Sequence, residues 1–255
     1  MAQYFRERLE PRVQGYTILA SCRFTSTMPR TPAKQASSGE VRAFLQRAKD
    51  VKRFSSEQSR LVFAIDATAS RQATWDLACE LQASMFQVTN DLASLSIQLA
   101  YYRGIGELHL DTWQSDASAL AQRMSRVQCA AGRTQIARLL QAALRQQNST
   151  RVNALVFIGD AVEENATVLQ DLAGKCRLQS LPLFLFQEGY DPAVKRCFET
   201  MARVSGGAYE HFDQGSAQRL RELLGAVARY AAGGRKALED KPTAGAQRLL
   251  QQLKR

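Results

Sequence analysis

Histidine, cysteine and long apolar runs are all scarce in this chain, and each scarcity removes a class of protein. There are two histidines, His109 and His211, and five cysteines, Cys22, Cys79, Cys129, Cys176 and Cys197, with no Cys-x-x-Cys spacing. That pattern gives neither a structural zinc site nor a disulfide framework, and the thiols read as small buried hydrophobes in a reducing compartment. No apolar run approaches the ~18 residues needed for a membrane-spanning helix. The Gly-x-Gly-x-x-Gly fingerprint, the Walker-type Gly-x-x-x-x-Gly-Lys-Ser/Thr loop and the Gly-x-Ser-x-Gly elbow are also missing. Dinucleotide binding, P-loop nucleotide binding and a serine-hydrolase site therefore lack their usual sequence support.

What is present is a globular composition with a basic excess. The 255 residues are 45% hydrophobic and 23% charged, with 34 Lys and Arg against 24 Asp and Glu, a net charge of +10. Such a balance raises nucleic-acid or anionic-membrane binding as functions. The excess lies at the ends, however. Residues 1–39 and residues 233–255 each carry six basic and two acidic side chains, while 40–232 holds 22 basic and 20 acidic ones. Aromatics at the ends are few, with Tyr4, Phe5, Tyr16 and Phe24 in the first and none in the last. The ends thus read as solvated basic tails, with weak, salt-dependent nucleic-acid binding as the alternative and no aromatic stacking platform.

The chain is divided into a basic, disordered N-terminal extension (1–37), an accessory helix and linker (38–57), a main domain (58–232) and a basic C-terminal tail with a short helix (233–255). Leu19-Ala20-Ser21-Cys22 matches a bacterial lipobox, but Arg6, Glu7, Arg8, Glu10, Arg12 and Gln14 interrupt the hydrophobic region of about 7–15 residues that a signal requires. Met28 is an alternative start. The expected location is the cytoplasm.

Inside the main domain, short apolar runs alternate with helical spacing. Leu61 to Ile65, Ala154 to Ile158 and Leu183 to Phe186 are uninterrupted apolar segments, too short for helices and suited to strands buried on both faces. Residues 97–102 and 108–113 read as a hairpin around Gly104-Ile105-Gly106, and 208–212 as a further short strand. Spacings of three and four residues mark helices over 75–92, 117–127, 136–144, 166–178, 192–204 and 217–231. The alternation predicts an α/β fold with a doubly wound, mostly parallel central sheet, one antiparallel hairpin edge strand and helices on both faces. Trp75 falls on the apolar side of its helix and is assigned to the core, and the two histidines are read as structural.

In such a sheet, function gathers at the carboxyl ends of the strands. Two buried runs end in aspartates, Asp66 and Asp160. The first continues as Asp66-Ala67-Thr68-Ala69-Ser70, a carboxylate followed by hydroxyls at every second position, and Thr134 opens a later helix after Gly132-Arg133. All five side chains are hard oxygen donors of the type that suits Mg²⁺. Ser70 and Thr134 at helix starts are equally ordinary N-caps, and Asp66 and Asp160 could simply accept loop N–H bonds. Glu163 and Glu164 would attract a cation or favour the N-terminus of the helix that follows them.

At these residues the sequence resembles the von Willebrand factor type A (VWA) domain family, whose metal-ion-dependent adhesion site combines a D-x-S-x-S loop, a Thr from a second loop and an Asp from a third. The resemblance runs over about residues 58–230 and maps onto Asp66, Thr68, Ser70, Thr134 and Asp160, with Thr68 where the family usually has Ser. It is identified most closely with intracellular, bacterial-type VWA proteins. The resemblance implies a site for Mg²⁺, with Mn²⁺ as a substitute, that binds a Glu or Asp of a partner protein and does not catalyse. Related proteins often work in assemblies with ATPases or chaperones. Arg71 and Arg133 flank the mapped site and would pair with the incoming carboxylate, or else be solvated.

Two alternatives accompany this expectation. One is a VWA scaffold whose site is degenerate and metal-free, acting as an assembly subunit. The other is a Mg²⁺-dependent phosphatase-like hydrolase built on the same strand-end aspartate. Haloacid-dehalogenase-type enzymes need a second Asp two residues on as the acid/base, and that position is Thr68.

Overall fold

The computed structural model describes residues 58–88, 94–213 and 216–253. The accessory helix expected after residue 38, Cys22 and the N-terminal extension lie outside the described residues.

Six strands form one sheet in the order β3-β2-β1-β4-β5-β6. They are β1 (Ser59–Asp66), β2 (Leu95–Arg103), β3 (Glu107–Gln114), β4 (Ala154–Gly159), β5 (Leu183–Glu188) and β6 (Ala208–Phe212). All neighbours are parallel except β2 and β3. That pair is the expected hairpin, turned at Gly104 (φ 58°) and Gly106 (φ 85°), left-handed positions that glycine adopts at little cost. The apolar runs of β1, β4 and β5 are buried along almost their whole length, as central strands covered on both faces must be. The edge strand β3 is half-buried to exposed along its length.

One face of the sheet carries α1 (Gln72–Leu81), α2 (Ala83–Gln87), α3 (Ala117–Met124), α7 (Ala217–Asp240) and α8 (Ala244–Gln252), which pack on Leu61, Phe63 and Ile65. The opposite face carries α4 (Ile136–Gln147), α5 (Ala166–Leu178) and α6 (Pro192–Ser205), which pack on Val62 and Ala64. Alternate residues of one strand thus serve two separate cores. Trp75 is fully buried and its indole N–H donates to the Met124 carbonyl at 3.1 Å. His109 stacks on Tyr101 with ring centres 4.9 Å apart, and His211 sits against Tyr190.

Two differences from the sequence reading have local causes. The single helix expected over 75–92 is divided near Gln82, where Met85 N–H bonds to the Gln82 carbonyl three residues back and tightens the turn. The C-terminal segment is also not a solvated tail. Gly234 (φ 67°, ψ −162°) breaks α7, and the chain beyond it returns to bury Leu238, Ala246, Leu249 and Leu253 in the same core as β1. The helix α8 is therefore amphipathic, burying Ala246 and Leu249 while Gln247 and Gln251 are exposed. Among the described residues no helix is long and apolar enough to cross a membrane.

Candidate functional site

The chain builds the sheet outward from β1 to β2 and β3, then returns to the other side of β1 with β4. This reversal leaves a crevice above the carboxyl ends of β1 and β4, the place where open α/β sheets bind ligands. Asp66 ends β1 opposite Tyr102 of β2, and Asp160 directly follows β4.

A cavity of about 240 Å³ opens there, and Asp66, Thr68, Ser70, Thr134 and Asp160 all line it, with Glu163 at its margin. Three loops separated by many residues in sequence are thus brought to one point. The first is set by Ala67 N–H bonding to the Tyr102 carbonyl and by Arg71 N–H bonding back to the Thr68 carbonyl at 2.9 Å, which closes a turn over Ala69–Arg71. The second is tied to the first by Ala130 N–H on the Ala67 carbonyl, and to the hairpin by Arg133 N–H on the Gly104 carbonyl. Gly132 is required in that contact, since a Cβ there would lie 2.2 Å from the Gly104 oxygen. The third is fixed to the second through Thr134 and Glu163, each donating its backbone N–H to the other's side chain at 2.9 and 3.0 Å.

Asp66 is 1% exposed. One carboxylate oxygen accepts the Thr68 N–H at 2.8 Å and the other accepts the Tyr102 hydroxyl at 3.1 Å. Burial raises its pKa above the usual carboxylate value against the lowering effect of these bonds, and the nearby Asp160 charge pushes the same way. Burial and the Asp66 charge also hold the Tyr102 phenol well above its ordinary value, so Tyr102 stays a donor. Thr68 and Ser70 bring their hydroxyl oxygens to 3.5 Å of each other.

The N-cap reading of the hydroxyls is not what the chain adopts. The residues at the N-cap positions of α1 and α4 are Arg71 and Gln135, neither of which caps through its side chain. Instead, Glu164 caps α4 by accepting the Ile136 and Ala137 N–H groups, both at 2.7 Å. Glu163 and Glu164 therefore serve the helix that precedes them in sequence, while Asn165 caps α5. Ser70 and Thr134 are left facing the cavity.

Arg71 needs correction as a residue waiting for a partner's carboxylate. Its side chain is 5% exposed; it pairs with Asp160 at 2.8 Å and with Glu188, and also contacts Thr74. Arg133 is exposed, next in sequence to Gly132 and Thr134, which line the cavity. Sequence reasoning missed Glu188 and Tyr102. Glu188 had a signal, since it closes the buried β5 run much as Asp66 closes β1. Tyr102 had none, because its meeting with Asp66 depends on the register of two parallel strands.

Among the described residues no group of three or more His, Cys, Asp or Glu side chains is placed to hold a metal. The donors gathered here are instead two carboxylates and three hydroxyls, a set that fits a hard, oxygen-seeking divalent cation and not a soft one.

No protein-family model and no curated protein sequence matches this chain. Solved structures do. The SpRpn10 VWA domain superposes with a TM-score of 0.50 at 12% identity, over 64% of this chain and 94% of that one. Proximal thread matrix protein 1 from the mussel byssus, with a zinc-occupied MIDAS motif, gives 0.53 at 10% identity, over 67% of this chain and 46% of that one. Human COPII-coat protein Sec24c gives 0.52 at 12% identity, over 68% of this chain and 32% of that one. The fold is that of the VWA domains, a mostly parallel six-stranded sheet with one antiparallel strand and helices on both sides.

Proposed function

We propose that this protein is a metal-dependent protein-interaction module that docks an acidic residue of a partner protein through a divalent cation held by Asp66, Thr68, Ser70, Thr134 and Asp160. The observation that carries this reading is the convergence of those five oxygen-bearing side chains on one cavity at the topological switch point. Mg²⁺ is the cation favoured by the donor set, and Mn²⁺ its natural probe. Two carboxylates would neutralise such an ion, while the hydroxyls, being neutral, would leave it attractive to a Glu or Asp from outside. The exposed Arg133, between the cavity-lining Gly132 and Thr134, would add to that attraction. The module binds and does not catalyse; ATPase or chaperone assemblies are the partner class we favour. The free thiols among the described residues support a reducing location, which we take to be the cytoplasm.

Calorimetric titration with Mg²⁺ and Mn²⁺ tests the reading. Wild type should bind at millimolar concentration or better and Asp66→Ala should not, and partner capture from extract should be lost in chelator. A second reading, a metal-free scaffold, is favoured by one observation, the ion pair that Arg71 makes with Asp160. Absence of binding by wild type would select it.

A further inference from the structure

The cation already present beside this site is Arg71. Its guanidinium reaches Asp160 with one terminal nitrogen and Glu188 with the other, and Thr74 donates its hydroxyl to the same Glu188 carboxylate. Arg71 and Glu188 are both almost fully buried, whereas Asp160 is 29% exposed toward the cavity. The Arg71 Nε is buried without a hydrogen-bond partner, so this placement serves the two carboxylates at the expense of one donor. Position 71 directly follows the last hydroxyl of the first loop, so the charge is carried by the same turn that presents Thr68 and Ser70.

We propose, on the metal-binding reading above, that Arg71 is a resident counter-ion that competes with the divalent cation for Asp160, and that Glu188 sets the strength of that competition by drawing the guanidinium away. A positive charge within hydrogen-bond distance of a ligand carboxylate repels an incoming cation and occupies one of the oxygens it needs. Glu188, paired to the same guanidinium from the end of β5, offsets part of that repulsion. Arg71 is thus a positioning residue whose effect is to weaken metal binding, so that occupancy follows the free metal concentration instead of being permanent.

The test is Mn²⁺ calorimetry on the full chain, with folding checked by circular dichroism. Arg71→Met/Glu188→Met removes both charges and keeps apolar volume, an exchange that buried ion pairs commonly tolerate. It should bind Mn²⁺ about tenfold more tightly than wild type, while Glu188→Gln, which leaves Arg71 to Asp160 alone, should bind about tenfold more weakly. Should the double variant not fold, Glu188→Gln decides, and unchanged or tighter binding overturns the proposal. Equal binding by wild type and a folded double variant overturns it too, while leaving the metal site itself intact. Binding by the double variant alone supports the competition and shows the native site to be metal-free. No binding by either overturns the proposal together with the metal-binding reading on which it rests.

Discussion

Thr134 and Glu163 hold each other twice, each backbone N–H donating to the other's side chain across a separation of 29 residues. The pair turns two loops into one wall of the cavity that Thr134 lines together with Asp66. Glu163→Ala should therefore lower stability by about 1 kcal/mol through the lost acceptor. Thr134→Ala should lower stability similarly and also weaken Mn²⁺ binding, whereas Thr134→Ser should restore binding. Urea denaturation alongside calorimetry separates these; a Thr134→Ala protein with full metal affinity would remove Thr134 from the ligand set.

Asp66 holds its carboxylate in a buried position at a cost to stability. Desolvation disfavours its ionised form in the folded chain. Asp66→Asn keeps an oxygen for the Thr68 N–H and should stabilise the chelator-treated protein by about 1 kcal/mol. In saturating Mg²⁺ the order should reverse, because only the wild type gains from the ligand. Thermal melts with and without chelator read both halves of the prediction.

Burial pushes the thiols of Cys79 and Cys129 up to about 11 and that of Cys176 up to about 12, above the ordinary value of 9.0. The folded state therefore holds these protons through a pH range in which the unfolded chain loses them. Stability linked to them is intact below pH 9, and is lost progressively as pH rises from there through the folded-state values. Denaturation midpoints should fall over that range, and Cys176→Ala should flatten the slope. At pH 8, alkylation should be slow in the folded chain and fast in urea.

The basic C-terminus, which composition presents as a solvated tail, is a structural element. Deleting the chain from residue 242 onward removes Leu249 and Leu253 from the core, along with the seat of Gly245 against the Glu222 backbone. Two leucines of this kind are worth about 3–6 kcal/mol. The truncated chain should unfold at markedly lower urea or aggregate, and unchanged stability would return the segment to the status of a tail.

Much of the fold was legible because it rests on short-range pattern. Five consecutive apolar residues from Leu61 to Ile65 can hardly be anything but a doubly covered strand, and the spacing over 166–178 and 192–204 falls on helices with nearly the same bounds. The five candidate ligands came from the likeness of the Asp66-to-Ser70 loop, Thr134 and Asp160 to the VWA site, and the fold brings all five to one cavity. Capping was not, because Glu164 reaches back to a helix 28 residues earlier, and no local rule assigns a carboxylate to a distant N-terminus.

The sequence by itself determined the alternation of strands and helices, the placing of aspartates at strand ends, and thereby the class of sheet. Only the tertiary structure decided what those aspartates face. Strand order and parallel register set Tyr102 on Asp66, and the adjacency of β4 and β5 set Asp160 and Glu188 about one guanidinium. Periodicity is fixed by the backbone over a few residues, but the electrostatics of a buried site depend on charges brought together from elements far apart in the chain.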